Sequence, residues 1–239
     1  MSHPEITLIL PAFNEAATIR ATIAEIVGYF EARGSVYEII VAADGQDGTR
    51  EISGELAQAN PAIHVIGQKE RRGKGRGIRE AVAIARGEYV GYADADNKVP
   101  IQEYGKVEPW LRQGYEAVIG SRTLQKSLVE RSQPVYRRIG SSAFNAFVRS
   151  FIGLDGITDT QCGFKFFARP AAVELFRRQR IDGYMFDVEI LALARRLGYR
   201  VKQVPVRWRD DGDSRLELVR GNLRNVIDIL KIRLTQERL

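Results

Sequence analysis

Hydrophobic positions fall in short, nearly continuous runs through the first half of the chain: 6-ITLILPAF-13, 38-EIIVAA-43, 62-AIHVIG-67, 88-EYVGYA-93 and 116-EAVIGS-121. Runs of this length with few polar interruptions read as strands buried on both faces. Between them lie segments with apolar residues at helical spacing, roughly 15–33, 48–59, 75–86 and 101–113. Strand alternating with helix predicts an α/β fold with a mainly parallel central sheet flanked by helices. Such sheets bind ligands beyond the carboxyl ends of their strands.

The second half changes character. A helical pattern over about 134–152 leads to 159-DTQCGFKFFA-168, and a helix over 170–178 precedes 183-GYMFDVEILALARRLGY-199. A strand pattern, 200-RVKQVPVRW-208, is followed by an acidic turn, Asp210-Asp211-Gly212-Asp213. An amphipathic helix from about Arg215 closes the chain. No internal repeat, low-complexity tract or Pro/Gly/Ser linker interrupts it, so one domain over 1–239 is expected.

Polar clusters sit where the predicted strands end: Pro11-Ala12-Phe13-Asn14-Glu15, 44-DGQDGT-49, 69-KERRGKGRG-77, Asp94-Ala95-Asp96 and Gly120-Ser121-Arg122. The Asp94/Asp96 pair is the most telling. In an extended strand, residues i and i+2 project to the same side. Two carboxylates held that way repel unless a cation lies between them, and a divalent metal meets the need. A solvated turn is the other reading, since Asp and Asn are ordinary turn residues. The stretch 73-GKGRG-77 before a helix offers an anion site. It lacks the Lys-Ser/Thr pair of a P-loop and fails GxGxxG, which argues against a P-loop NTPase or a dinucleotide dehydrogenase. A flexible basic loop is its plainer reading.

Composition narrows the setting. With 239 residues, 44% hydrophobic and 28% charged, the chain can bury a real core. Its net charge of +6 suits an anionic partner: nucleic acid, nucleotide, phosphate or anionic membrane. A nucleic-acid module would leave both the Asp94/Asp96 and the Asp187/Glu189 pairs unexplained. Cys162 is the single cysteine, so no intrachain disulfide is expected, and it reads as a packed thiol. His3 and His64 are the only histidines; a zinc site lacks ligands, and His64 alternates with apolar strand neighbours. No apolar run reaches about 18 residues, so no spanning helix is expected. The opening MSHPEITLIL lacks the features of a signal peptide, and a cytoplasmic setting is the expectation.

Taken in order, PAFNE, ADGQDGT, KGRGIREAVAIARGEYV and DAD resemble the inverting family 2 glycosyltransferases of the GT-A (Rossmann-like) fold. DTQCGFKFF, FDVEIL and VPVRW resemble the dolichyl-phosphate β-glucosyltransferases and their prokaryotic relatives, with dolichyl-phosphate mannose synthases next. The likeness covers nearly the whole chain. It implies a nucleotide-sugar-binding half, 1–122, and an acceptor-binding half, 123–239. It implies inverting, metal-dependent transfer of a hexose, glucose favoured, from a nucleotide sugar, UDP-glucose favoured. The acceptor would be a polyprenyl or dolichyl phosphate at the membrane surface. A GDP-mannose donor, or a soluble or glycan acceptor, is the alternative. Contact with the membrane would be peripheral, no nucleic acid is implied, and a homodimer is left open.

The resemblance also assigns residues. Pro11, Ala12 and Glu15 would line the nucleotide pocket, with Lys74 or Arg76 near the nucleotide. Asp44 would bond the uracil or ribose. Here the chain reads 42-AADG-45, one Asp fewer than the family's Asp-Asp-Gly-Ser, which leaves Asp47 as fallback or as a helix cap. Asp96 would bind Mg²⁺ or Mn²⁺, and Asp94 the ribose or the metal. Lys98 stands where mannose synthases can offer a third ligand, and a protonated amine cannot ligate. Arg122, with Arg137 or Arg138, would hold the acceptor phosphate, for which a guanidinium fork is suited. Asp159, Gln161 and Lys165 would lie close to the transferred sugar, with Lys165 also toward the acceptor phosphate. Asp94, Asp96, Asp159 and Arg122 are thus the expected catalytic group. Asp187 and Glu189 form a second carboxylate pair, or an N-terminal helix turn favoured by the helix dipole.

Overall fold

The computed structural model describes residues 3–129, 146–209 and 220–236. The five apolar runs become β1 (Ile6–Phe13), β2 (Tyr37–Asp44), β3 (Ile63–Ile66), β4 (Tyr89–Ala93) and β5 (Ala117–Ser121). Helices α1 (Ile19–Ala32), α2 (Thr49–Ala59) and α3 (Lys74–Ile84) connect the first four strands. A 3₁₀ turn (Ile101–Glu103) and α4 (Tyr104–Arg112) lead into β5. Helix α1 starts later than the pattern suggests. Asn14 takes a positive φ of 57°, and the chain turns through 14–18 before the helix can begin. Further on come β6 (Leu128–Val129), α5 (described over 146–152), β7 (Phe164–Ala168), α6 (Arg169–Arg178) and α7 (Phe186–Arg196). The last elements are β8 (Val201–Pro205), β9 (Arg207–Trp208) and α8 (Arg220–Gln236).

The central sheet has seven strands in the order β3-β2-β1-β4-β7-β5-β8. Neighbouring strands are parallel except at β7, which runs antiparallel between β4 and β5. Sequence reading treated 164-FKFFA-168 as part of a site motif and missed this strand. Its alternation explains the placement: Phe164 and Phe166 pack on the α1/α4 side of the sheet, Phe167 on the α3/α6/α7 side. A strand apolar on both faces belongs in a sheet interior. The expected single strand at 200–208 is two. Proline at 205 has no N–H to continue the ladder, and β9 turns away to pair with β6 in a small parallel sheet.

Both faces of the sheet are covered. Leu8, Leu10, Ile39 and Val41 point into one core and Ile9, Ile40, Tyr92 and Phe167 into the other. Helix α8 adds Ile229 and Ile232 to the second. No helix among the described residues is long and apolar enough to cross a membrane. The carboxyl ends of β1, β2, β4 and β5 point the same way, and their loops gather the polar clusters noted above.

Candidate active site

The loops after β1 and β2 are cross-linked. Asp47 accepts hydrogen bonds from the Thr49 N–H (3.0 Å) and hydroxyl (2.6 Å), and from the Ala16 N–H (2.9 Å). The Glu15 N–H donates to the Thr49 hydroxyl at 2.8 Å. Asp47 therefore acts as the tie at the start of α2. Asp44, at the end of β2, accepts the N–H groups of Gln68 (3.3 Å) and Arg72 (2.9 Å), folding the basic loop over itself. Partial burial pushes its carboxyl up. Ala12 is buried in β1, and Pro11 beside it is partly exposed. Arg76 turns away to Glu80 one helical turn on, at 2.8 Å. Arg71, which sequence reading did not single out, lies over the Phe13 ring at 4.4 Å and donates to the Tyr184 hydroxyl at 3.0 Å. An exposed arginine in a run of basic residues gave no signal of that clamp.

Asp94 and Asp96 sit just beyond β4 in a turn, closed by the Asn97 N–H donating to the Asp94 carbonyl at 3.1 Å. Of the two geometries open for the pair, strand tip or turn, the chain adopts the turn, and Asn97 takes a φ of 55° to make it. Its carbonyl side is anchored to α1, where the Thr22 hydroxyl donates to the Ala95 carbonyl and the Asn97 amide to Glu25. Each carboxylate faces an ammonium: Lys74 Nζ is 2.5 Å from Asp94 and Lys98 Nζ 3.0 Å from Asp96. Lys74 is the first residue of α3, so the helix aims it at the site. Burial works against its charge, but the Asp94 carboxylate outweighs that and holds its pKa above the ordinary value. Both carboxylates keep about a third of their side-chain surface open, 38% and 31%. Half-exposed hard oxygens of this kind fit Mg²⁺ or Mn²⁺, which take further oxygens from a diphosphate and water. Among the described residues no cluster of three or more His, Cys, Asp or Glu forms a self-sufficient metal cage.

At the end of β5, Arg122 meets Asp159 through a two-pronged pair: Nε to Oδ2 at 2.8 Å and Nη2 to Oδ1 at 2.9 Å. The Arg122 backbone N–H adds a third bond at 2.9 Å. Burial alone would raise the Asp159 carboxyl, but Arg122 outweighs it and holds it below the usual range. The guanidinium also lies 5.5 Å from the Trp208 ring centre. The Gln161 N–H donates to Asp159, and the Asp94 N–H donates to the Gly163 carbonyl at 3.0 Å. The segment 159–163 thus ties the β5 end to the Asp94–Asp96 turn.

Lys165 is placed differently from expectation. It is the second residue of β7 and has no exposed surface, bonded to Asp187 at 2.5 Å and to the Cys162 carbonyl at 2.7 Å. Its register partner Tyr92 donates its hydroxyl to the same Asp187 oxygen, 2.5 Å away. The side chain points into the packed face of the sheet, out of solvent, so it supports the site from behind. Asp187, in the first turn of α7, is the buried anchor of that cluster. Glu189 instead accepts the N–H groups of Arg180 and Ile181, fixing the loop before α7. Burial pushes the Cys162 thiol up to about 12, consistent with a packed thiol. Arg137, Arg138 and the acidic turn at 210–213 lie outside the described residues.

Residues 7–176 match the family described as Glycosyl transferase family 2. The chain is 34% identical over 237 residues to the dolichyl-phosphate beta-glucosyltransferase ALG5C of Trichomonas vaginalis, covering 95% of this chain and 70% of that protein. It is 37% identical over 224 residues to the glycosyltransferase AglD of Haloferax volcanii; the match spans 92% of this chain and 35% of that longer protein. Its fold resembles that of glucosyl-3-phosphoglycerate synthase from Mycobacterium tuberculosis, solved with Mn²⁺, UDP and glucosyl-3-phosphoglycerate. The TM-score is 0.69 at 24% identity, covering 96% of this chain and 80% of the other.

Proposed function

The chain belongs to glycosyl transferase family 2, and we propose that it transfers glucose from UDP-glucose to a polyprenyl phosphate, with inversion at the anomeric carbon. It is a glycosyltransferase, and the names of its relatives support the choice of donor sugar and lipid acceptor. The observation that carries the reading is the Asp94–Asp96 turn held between Lys74 and Lys98, with the Arg122–Asp159 pair tied to it through Gly163. Donor diphosphate and acceptor phosphate are both anions, and the site offers separate cationic groups for each.

In this scheme a phosphate oxygen of the acceptor attacks the anomeric carbon, the glycosidic bond to the diphosphate breaks, and UDP departs with both electrons. A phosphate monoester has a second pKa near 6 and is largely dianionic at neutral pH, so it needs no general base. Neither histidine is required; His64 sits beside Glu38 and Arg86 instead. Asp94 and Asp96 would hold Mg²⁺ or Mn²⁺, which when bound neutralises charge on the leaving diphosphate. Lys74 and Lys98 add positive charge at the same place. Asp159 holds two edges of the Arg122 fork, which leaves its remaining N–H donors for the acceptor phosphate. Residues 1–122 would serve the donor and 123–239 the acceptor, with Arg122 at the boundary facing the acceptor phosphate. The work would be done peripherally, on the cytoplasmic membrane face.

The test is product release by purified protein offered UDP-glucose or GDP-mannose, Mg²⁺ or Mn²⁺, and a short polyprenyl phosphate or 3-phosphoglycerate. UDP release that requires metal and lipid phosphate, yields a β-linked product and vanishes in Asp96→Ala is the expected result. GDP release moves the donor to mannose. Turnover with 3-phosphoglycerate alone, or an α-linked product, overturns the acceptor or the mechanism.

A further inference from the structure

Strand β9 is only two residues long, yet it is tied at both ends and along its length. Before it, the Val206 N–H donates to the Ser121 carbonyl at 3.2 Å, next to Arg122. After it, the Arg209 N–H donates to the Lys98 carbonyl at 2.9 Å, in the chain just past Asp96. Alongside, Arg207 and Trp208 stand in register with Leu128 and Val129 of β6. The Arg207 side chain reaches the buried Glu103 carboxylate at 2.7 Å. So short a strand gains little from its own ladder, and these outside ties decide where it lies.

What they hold in place is Trp208. Successive residues of a strand point to opposite sides, so with Arg207 turned to Glu103 the indole turns the other way. The Arg122 guanidinium carbon lies over the indole, 5.5 Å from the ring centre. Trp208 packs on the core cluster of the α1/α4 side and yet remains partly exposed. Arg122 is therefore held twice: Asp159 takes one edge of its fork through Nε and Nη2, and the ring packs against it. Held by an edge and packed over a ring, a guanidinium has little freedom to swing, and its remaining N–H donors keep one direction.

We propose that Trp208 is the residue by which the site selects its acceptor: the ring steadies Arg122 and sets an apolar surface beside it, which favours a phosphate monoester of an apolar chain over one of a hydrophilic body. The proposal rests on the acceptor reading above and deepens it. The first carbons of a prenyl chain follow directly on the phosphate oxygen, so the group that reads them must stand beside the group that holds the phosphate. Trp208 has that place, and its strand joins the Arg122 end of β5 to the turn that carries Asp94 and Asp96. A hydrophilic ester would set hydroxyl or carboxylate groups against the ring without partners, which is a penalty on the wrong acceptor.

The experiment is steady-state kinetics of the intact protein at saturating nucleotide sugar and Mg²⁺, with a short prenyl phosphate as acceptor and inorganic phosphate as its competitor. Wild type, Trp208→Phe and Trp208→Gln are compared. Trp208→Gln is expected to raise the KM for prenyl phosphate about tenfold or more and the inhibition constant of inorganic phosphate about threefold or less, since phosphate meets Arg122 but carries no chain. The KM for the nucleotide sugar should stay at the wild-type value, and Trp208→Phe, which keeps an aromatic ring, should recover most of the loss. KM values report the folded fraction, so a lower melting point in either variant leaves the comparison intact. Wild-type acceptor KM in both variants overturns the proposal. So does an equal rise in the prenyl phosphate and inorganic phosphate constants, which would leave Trp208 a support for Arg122 alone. In both cases prenyl phosphate is still used, and the acceptor reading stands. A wild type that uses 3-phosphoglycerate in preference to prenyl phosphate overturns the acceptor reading and this proposal together.

Discussion

Gly163 stands with its α-carbon against the carboxylate of Asp94: a β-carbon built there would lie 2.1 Å from Oδ2 and 2.3 Å from Cγ. No real β-carbon tolerates such an approach, and the glycine carbonyl already holds the Asp94 N–H. The Asp94 carboxylate is partly exposed and tied through its side chain to Lys74, so alanine at 163 should displace the carboxylate before it disturbs the fold. Gly163→Ala is expected to lower kcat/KM at least a hundredfold, about 2.7 kcal/mol of transition-state stabilisation. Its thermal midpoint should stay within a few degrees of wild type. Gly91→Ala makes the contrast. Its β-carbon would meet the buried Phe166 ring at 2.1 Å, and overpacking a core costs about 1–3 kcal/mol. Parallel kinetics and melts of the two variants check the claim; equal loss of stability in both would refute it.

The Lys165–Asp187 pair predicts a different pattern. Both groups are out of solvent, and they share a carboxylate oxygen with the Tyr92 hydroxyl. Removing one partner strands the other charge, at a cost of about 3–5 kcal/mol. Lys165→Met and Asp187→Leu should each melt far below wild type. The double variant should recover much of the loss, because a buried ion pair replaced by apolar groups of similar volume is often close to neutral. Asp187 also contributes to the raised pKa of Lys74, behind the attraction of Asp94. The double variant should therefore fold with a KM for the nucleotide sugar near wild type, because the Asp94 carboxylate alone still keeps Lys74 charged. A double variant with wild-type kinetics would confine the cluster to stability.

Arg122 and Asp159 separate orientation from charge. Asp159→Asn keeps the shape but weakens the grip on the guanidinium fork. If Arg122 meets the acceptor phosphate, the KM for the prenyl phosphate should rise about tenfold or more while the KM for the donor stays put. Arg122→Lys loses the fork altogether and should cost more. An equal rise in both KM values would place the pair on the donor side.

How much of this was legible in the chain follows from where each signal lay. The first five strands and their polar ends came from periodicity, because a buried parallel strand has no choice but to be apolar on both sides. β7 was hidden because 164-FKFFA-168 carries a lysine, and a charge in a short apolar run reads as a site residue. It is in fact the buried half of an ion pair whose other half lies 22 residues later in α7. Asp94 and Asp96 were found by type and a turn was one of the two readings open for them, but its form was not legible, since Asn97 betrays a left-handed residue only once its φ is known. Gly163 could not be singled out, because one glycine among 22 gives no sign of which carboxylate it makes room for. Asp44 and Asp47 were recognised as alternatives, and their hydrogen bonds now divide the work: Asp47 ties two loops, Asp44 closes the basic one.

Acid should unfold the protein through three buried carboxylates. Glu38, Glu103 and Asp159 are each at most 3% exposed. Burial alone would raise all three, yet Glu38 is held down by the Thr7 hydroxyl and Arg86, Glu103 by Lys106 and Arg207, and Asp159 by Arg122. Their folded pKa values therefore lie below the unfolded ones of about 3.9 for Asp and 4.3 for Glu. A group depressed in this way binds its proton more readily in the unfolded chain, so its stabilisation is present above the unfolded pKa and is lost as pH falls through the folded value. Melting temperature should be level from pH 7 to about 5 and drop steeply below about 4. Glu38 supplies a clean test, since it lies at the far end of β2 from the site, joining β1, β2 and the turn before β4. Glu38→Gln leaves Arg86 without its charge partner and should cost about 1–3 kcal/mol at pH 7. It should then lose less on acidification than wild type, because one proton-linked group is gone. If the two melting curves fall in parallel between pH 5 and 3, Glu38 does not carry a share of the acid transition.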